Sequence, residues 1–116
     1  MNKPLGPYSP FVLAGDFVFV SGQVGMLAGE LVDGGITAQT NQVIANLSQR
    51  LTEAGLSLGD VVKTTCFLTD MGDFEAFNEA YVNGFGDHRP ARSTFAVAGL
   101  PAGAIVEVEA VAHRSS

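Results

Sequence analysis

The segments Phe17-Val18-Phe19-Val20 and Val61-Val62-Lys63-Thr64-Thr65-Cys66-Phe67-Leu68 are apolar at odd and at even positions. Side chains alternate across a strand, so strands built from them carry apolar residues on both faces of a sheet. Each face of that sheet needs cover, and the rest of the chain determines how much cover it can supply.

Two helices are available. Ile36 to Ala54 has apolar residues at 36, 43, 44, 47, 51 and 54, the 3.6-residue stripe of an amphipathic helix, and Gly55 suits the left-handed residue that ends one. A second helix is expected from Phe74 to about Phe85, with Phe74, Phe77, Ala80, Tyr81 and Phe85 on one side and Asp70 or Asp73 as its cap. The remaining segments read as strands and turns. Phe11 to Ala14, Gly15-Asp16 and Phe17 to Ser21 form a hairpin with glycine first in a type II′ loop, and Ser21-Gly22-Gln23 ends its second strand. Gly25 to Gly35 holds four glycines and is expected to loop out. Val61 to Leu68, Ala91 to Ala98 and Ile105 to His113 complete the strands, with loops at Gly86 to Pro90 and Gly99 to Gly103. The order β-β-α-β-α-β-β describes an α+β domain, 1–116, with helices on one side of a mixed sheet. Two helices cover one face only. The other face is expected to be covered by further copies of the chain, in a homo-oligomer built through its sheets.

Charge narrows the partners. Six Lys and Arg against twelve Asp and Glu leave a net charge of −6, a poor match for a phosphate backbone, so nucleic acid is not an expected partner. No apolar run approaches the roughly 20 residues of a membrane span and no leader pattern opens the chain, so no membrane partner is expected. The single cysteine, Cys66, cannot form an intrachain disulfide and suits a reducing cytoplasm.

Against this apolar background Arg92, in Pro90-Ala91-Arg92-Ser93-Thr94, and Glu107, in Val106-Glu107-Val108-Glu109, stand out on what read as two neighbouring strands. A guanidinium can clamp a carboxylate through two parallel hydrogen bonds, and a carboxylate can orient or deprotonate water. Together they suggest a site that holds a small carboxylate-bearing molecule and hydrolyses something beside it. Parity puts Ile105, Glu107, Glu109 and Val111 on one face of the last strand and Val106, Val108, Ala110 and Ala112 on the other. Two carboxylates so placed repel unless a cation is near, and Arg92, Arg89 and Lys63 are the candidates. A structural ion-pair network at a subunit interface explains the same residues, and alternation does not say which glutamate would serve a site.

Other residues carry less. Cys66 reads as a buried small hydrophobe, and His88 and His113 have no metal-ligand spacing, so no metal is expected. Ser21 has no Asp and His partners in a recognisable arrangement, and the glycines match no phosphate-binding fingerprint. Tyr8, flanked by prolines in Gly6-Pro7-Tyr8-Ser9-Pro10, suits turn packing or a phenol held over a cleft.

In order along the chain, Gly6-Pro7-Tyr8-Ser9, Phe19-Val20-Ser21-Gly22-Gln23, Gly34-Gly35-Ile36, Gln39-Thr40, Asn46-Leu47, Ala54-Gly55, Asp60-Val61-Val62-Lys63-Thr64-Thr65, Asp70-Met71, Asp73-Phe74, Phe77-Asn78, Pro90-Ala91-Arg92-Ser93, Leu100-Pro101 and Val106-Glu107-Val108-Glu109 resemble the RidA (YjgF-type) reactive-intermediate deaminases over residues 6 to about 112. The resemblance implies a chorismate-mutase-like α+β fold and a homotrimer with its sheets packed at the centre and a ligand cleft at each subunit interface. It implies hydrolysis of 2-imino acids or their enamine tautomers, such as 2-iminobutanoate, 2-iminopropanoate and 2-aminoacrylate, to 2-oxo acids and ammonia, without cofactor or metal. By the same resemblance Arg92 grips the substrate carboxylate, Glu107 positions the attacking water, and Glu109 is left structural. Tyr8, Ser21, Gly22 and Asn78 match residues that line the cleft, and Thr94 stands where many members have Cys. Pro10 replaces a common Gln, and the loop Gly86 to Arg89 is shorter than in some members. A trimeric module that senses 2-oxo acids without turnover is the alternative, because Arg92 serves both functions and Glu107 only hydrolysis.

Overall fold

Gly15 turns the chain at φ 62°, and β1 (Phe11–Ala14) pairs antiparallel with β2 (Phe17–Val24) as the hairpin pattern predicts. A computed structural model describes residues 5–115. Beyond β2 the glycine-rich stretch does not simply loop out: β3 (Met26–Leu27) and β4 (Glu30–Leu31) form a two-stranded ladder across positive-φ Ala28 and Gly29. The segment is too short for sequence alternation to reveal.

Helix α1 (Gly35–Glu53) ends as Gly55 predicts. Gly55 takes φ 80°, its N–H donates to the Thr52 carbonyl at 3.0 Å, and the Leu56 N–H donates to the Leu51 carbonyl at 2.8 Å. That pair of bonds is the Schellman arrangement, which satisfies carbonyls left over at a helix end. Strand β5 (Val61–Leu68) follows, then α2 (Phe74–Phe85), β6 (Ala91–Ala96) and β7 (Val106–His113). The last two strands are slightly shorter than expected. Asp70 accepts from the Gly72 N–H at 2.8 Å and so caps the 3-10 turn Met71–Asp73 that leads into α2, whereas Asp73 makes no side-chain cap bond.

The sheet runs β1-β2-β7-β5-β6, with β5 and β6 parallel and the other pairs antiparallel. Since β7 is antiparallel to both β2 and β5, those two share a direction. The links β2 to β5 and β5 to β6 are therefore both crossovers, through α1 and α2, and both step the same way along the sheet. A fixed crossover hand then places both helices on one face. Val43, Leu47 and Leu51 of α1 and Phe77, Tyr81 and Phe85 of α2 pack there against Val18, Val20, Cys66, Leu68, Val106, Val108, Ala110 and Ala112.

The parity of β7 is as expected, with Val106 and Val108 buried and Glu107 and Glu109 turned away. That of β5 is not. A register shift between Val61 and Lys63 leaves Val62 unpaired, so Val61 joins the helix-covered face opposite Ala112 while Phe67 lies on the other face opposite Glu107. No described element covers that second face, and Val12, Phe17, Phe19 and Phe95 remain 44–53% exposed. None of the described helices is long and apolar enough to cross a membrane.

Candidate active site

Glu107 owes its surroundings to a bulge. Along β2, Val20 pairs with Ala110 but Gln23 pairs with Val108, so Ser21 and Gly22 together span the place of one residue. The extra residue reverses the parity of the strand. Val20 faces the helices, while Val24 comes opposite Glu107. Gly22 lies against the carboxylate: a Cβ there would be 2.5 Å from Glu107 Oε2, so only glycine lets the group sit where it does. The bulge is pinned from the N-terminal segment. The Ser21 hydroxyl donates to the Ser9 carbonyl at 2.6 Å, its N–H donates to the Pro10 carbonyl at 3.0 Å, and the Tyr8 hydroxyl accepts from the Leu5 N–H at 3.0 Å. Tyr8, Pro10, Gly22, Asn46, Arg50 and Glu107 line one cleft. Ser21 thus holds the cleft wall together, and Tyr8 and Gly22 form part of it.

None of the expected cations neutralises the two glutamates. Lys63 Nζ donates to Ser93 Oγ at 2.9 Å, Arg89 bonds to backbone carbonyls, and Arg92 lies elsewhere; the ion pair among the described residues is Arg50 with Glu53 at 2.9 Å. Burial, and then the like charge of Glu109, push the Glu107 carboxyl above its ordinary range. A carboxylate so raised, and without a counter-ion among the described residues, is a better proton acceptor than an exposed one.

Arg92 forms a second, separate cluster. It pairs with Thr64 across the parallel β5–β6 ladder, and Thr64 is fully buried, so Arg92 faces the helices. Its guanidinium lies 5.6, 5.5 and 4.9 Å from the ring centres of Phe74, Phe77 and Tyr81, and it makes no hydrogen bond or ion pair with described residues. The Tyr81 hydroxyl is bonded to Thr64 Oγ1 at 2.7 Å, which fixes that ring. Such cation–π contacts are each worth about 0.5–2 kcal/mol and use none of the five N–H donors. Asn78 Oδ1 is buried without a partner among the described residues, and Asn78, Tyr81, Val82, Arg89, Pro90 and Arg92 line one cavity. Unspent donors and an orphaned acceptor mark a place that a polar ligand completes.

The structure therefore separates what the sequence pattern put side by side. β6 and β7 are not neighbours, because β5 lies between them. Arg92 points to the helix-covered face and Glu107 to the open one. Tyr8, Gly22 and Glu107 share one half, and Asn78 and Arg92 share the other, with Thr94 two residues along the same strand face. Within the chain the two halves lie on opposite faces of the sheet and in separate cavities.

Two features escaped the sequence pattern. Asn46 and Arg50 fall at i and i+4 beside the apolar stripe of α1, and that interruption was the available signal. Asn46 Nδ2 donates to the carbonyls of Val24 and Met26 at 3.0 Å each, tying the end of β2 to the helix. Arg50 is 4% exposed, and its Nε–H has no acceptor. The aromatic seat of Arg92 was visible only as an apolar helix face. Cys66 is fully buried, and burial raises its thiol pKa, which makes it a poor nucleophile. His88 Nε2 is bonded to the Val61 carbonyl at 2.7 Å, and His113 packs edge-on against Phe17. Among the described residues no group of three His, Cys, Asp or Glu could hold a metal.

Three comparisons place these features among known proteins. The sequence pattern of the family described as Endoribonuclease L-PSP matches residues 1–114. A RutC family protein of Pyrococcus horikoshii is 45% identical over 114 residues, covering 97% of this chain and 90% of its own. The human 2-iminobutanoate/2-iminopropanoate deaminase is 43% identical over 110 residues, covering 93% and 80%. The crystal structure of RidA from an Antarctic Psychrobacter superposes with a TM-score of 0.92 at 40% identity, over 96% of this chain and 91% of that one.

Proposed function

The chain belongs to the Endoribonuclease L-PSP family, which is the YjgF/RidA family, and from that premise we propose that it hydrolyses small 2-imino acids and their enamine tautomers to 2-oxo acids and ammonia. The substrates are of the kind named in its human relative, 2-iminobutanoate and 2-iminopropanoate. The observation that supports this function is the presence of two incomplete half-sites, one around Arg92 suited to a carboxylate and one around Glu107 suited to activating water.

In this mechanism Arg92 binds the substrate carboxylate through its free N–H donors, while its aromatic seat holds the fork in one orientation. Asn78 and Thr94 supply further polar contacts beside it. Glu107 accepts a proton from water as the water oxygen bonds to the imine carbon. Glu107 then returns its proton to the nitrogen of the carbinolamine, and ammonia leaves as the C–N bond breaks and the hydroxyl gives up its proton to become the carbonyl of the 2-oxo acid. Orientation of this kind lowers the barrier by several kcal/mol, up to about 7–11 in ideal intramolecular cases. An iminium is already electrophilic, so Arg92 and Glu107 suffice.

The two half-sites must come from different copies of the chain. We place them together in a cytoplasmic homotrimer whose open sheet faces pack at the centre, so that each interface joins the Arg92 half of one copy to the Glu107 half of the next. The uncovered Phe17, Phe19 and Phe95 support this arrangement. The net charge of −6 argues against carrying the endoribonuclease description to this chain as an RNA-cleaving activity.

The test generates imines with an amino-acid oxidase and traps survivors with semicarbazide. Wild type is expected to accelerate loss of the trappable imine, and Arg92→Ala and Glu107→Gln to abolish the acceleration. No acceleration by wild type, together with 2-oxo acid affinity that Glu107→Gln leaves unchanged, would support the alternative, a non-catalytic sensor of small carboxylates.

A further inference from the structure

The cavity that contains Arg92 holds a second guanidinium, that of Arg89, and its lining residues include no carboxylate. Arg92 is half-buried and Arg89 exposed, and both are held in place by uncharged groups. Arg92 is seated on three aromatic rings and forms no hydrogen bond with described residues. Arg89 is anchored through Nη1 alone, which donates to the carbonyls of Gly86, the residue that caps α2, and of His88 in the loop beyond it. These two carbonyls satisfy only one of its nitrogens. The Nε–H and Nη2–H groups of Arg89 have no acceptor among the described residues. Neither arginine forms an ion pair among the described residues, although the chain has twelve acidic residues.

A single carboxylate satisfies one guanidinium fork. Two uncompensated forks in one cavity match a ligand with two anionic groups. From this we infer that the substrates include 2-imino acids with an acidic side chain, the imino-dicarboxylates derived from aspartate-like and glutamate-like amino acids. Arg92 takes the carboxylate next to the imine and Arg89 the distal one. The inference rests on the imine-hydrolase function proposed above and names its substrate class. The reaction is unchanged: water adds to the C=N carbon, ammonia leaves, and both carboxylates persist in a 2-oxo-dicarboxylate. Arg89 is a specificity-determining residue and touches no reacting atom.

The experiment compares imines made by oxidase action on aspartate and glutamate with those from alanine and leucine, for wild type, Arg89→Gln and Arg89→Lys. The readout is the ratio of kcat/KM for acidic over neutral imines. Wild type is expected to accelerate the acidic imines, Arg89→Gln to lower the ratio about ten- to hundredfold, as loss of a charge-assisted contact does, and Arg89→Lys to restore part of it. If Arg89 only caps α2, the substitution lowers both substrate classes alike; an unchanged ratio overturns the proposal, as does acceleration confined to neutral imines. If no imine is accelerated at all, the underlying function fails instead. Calorimetric titration with 2-oxoglutarate and pyruvate then decides the site separately: preference for the dicarboxylate that Arg89→Gln removes upholds it, and equal affinity overturns it.

Discussion

At the scale of single residues, Glu107 is raised because its charge is partly buried and faces Glu109. A carboxyl whose folded-state pKa lies above its unfolded value of 4.5 favours the fold only when protonated. Stability is lost as pH rises from that value through the higher folded one. Glu107→Gln is therefore expected to raise the melting temperature at pH 7, with the difference closing as pH falls below the ordinary carboxyl range, as scanning calorimetry across pH would show. The same reasoning applies to catalysis. The acidic limb of kcat/KM lies above the ordinary carboxyl range, and Glu109→Gln moves it down by removing the like charge. Gly22→Ala drives a methyl group to 2.5 Å from Glu107 Oε2. The carboxylate must shift, and kcat/KM is expected to fall about tenfold or more, because small misplacements of a reacting group are costly. Circular dichroism checks that the variant still folds.

At the scale of elements, stability follows from the helix-covered face. Leu47 of α1 is fully buried against the sheet, so Leu47→Ala is expected to cost about 2–5 kcal/mol in urea unfolding. Elements of this kind were legible in the sequence, because a 3.6-residue stripe, a terminal Gly55 and an alternating β7 are local patterns. Irregularities within elements were not. The bulges at Ser21-Gly22 and Val62 depend on which strand lies alongside, and no local pattern carries that information. Arg92 and Glu107 stood out in the sequence as a cation and a carboxylate in apolar strands, where a structural ion-pair network explained them as well as a site did. Their relation was misread because chain order suggests that β6 and β7 adjoin, whereas the crossover through α2 sets β6 beside β5 and leaves β7 to pair with β2 and β5. The aromatic seat of Arg92 was hidden for a different reason: Phe74, Phe77 and Tyr81 satisfy a core stripe whether or not a guanidinium lies on them.

At the scale of the whole molecule, one sheet face is covered by helices and the other is exposed, and the candidate site is split between the two. One arrangement of copies answers both facts, by burying Phe17, Phe19 and Phe95 while joining unlike half-sites. The most direct measurement mixes two inactive variants, Arg92→Ala and Glu107→Ala, co-refolded in equal amounts and assayed for imine hydrolysis. If each site draws Arg92 from one copy and Glu107 from another, random assembly leaves half of each contribution intact, and activity returns to about one quarter of the wild-type level per site. If both residues of a site came from the same chain, every site in the mixture would still lack one of them. Mixing would then restore nothing, and the composite site would be contradicted.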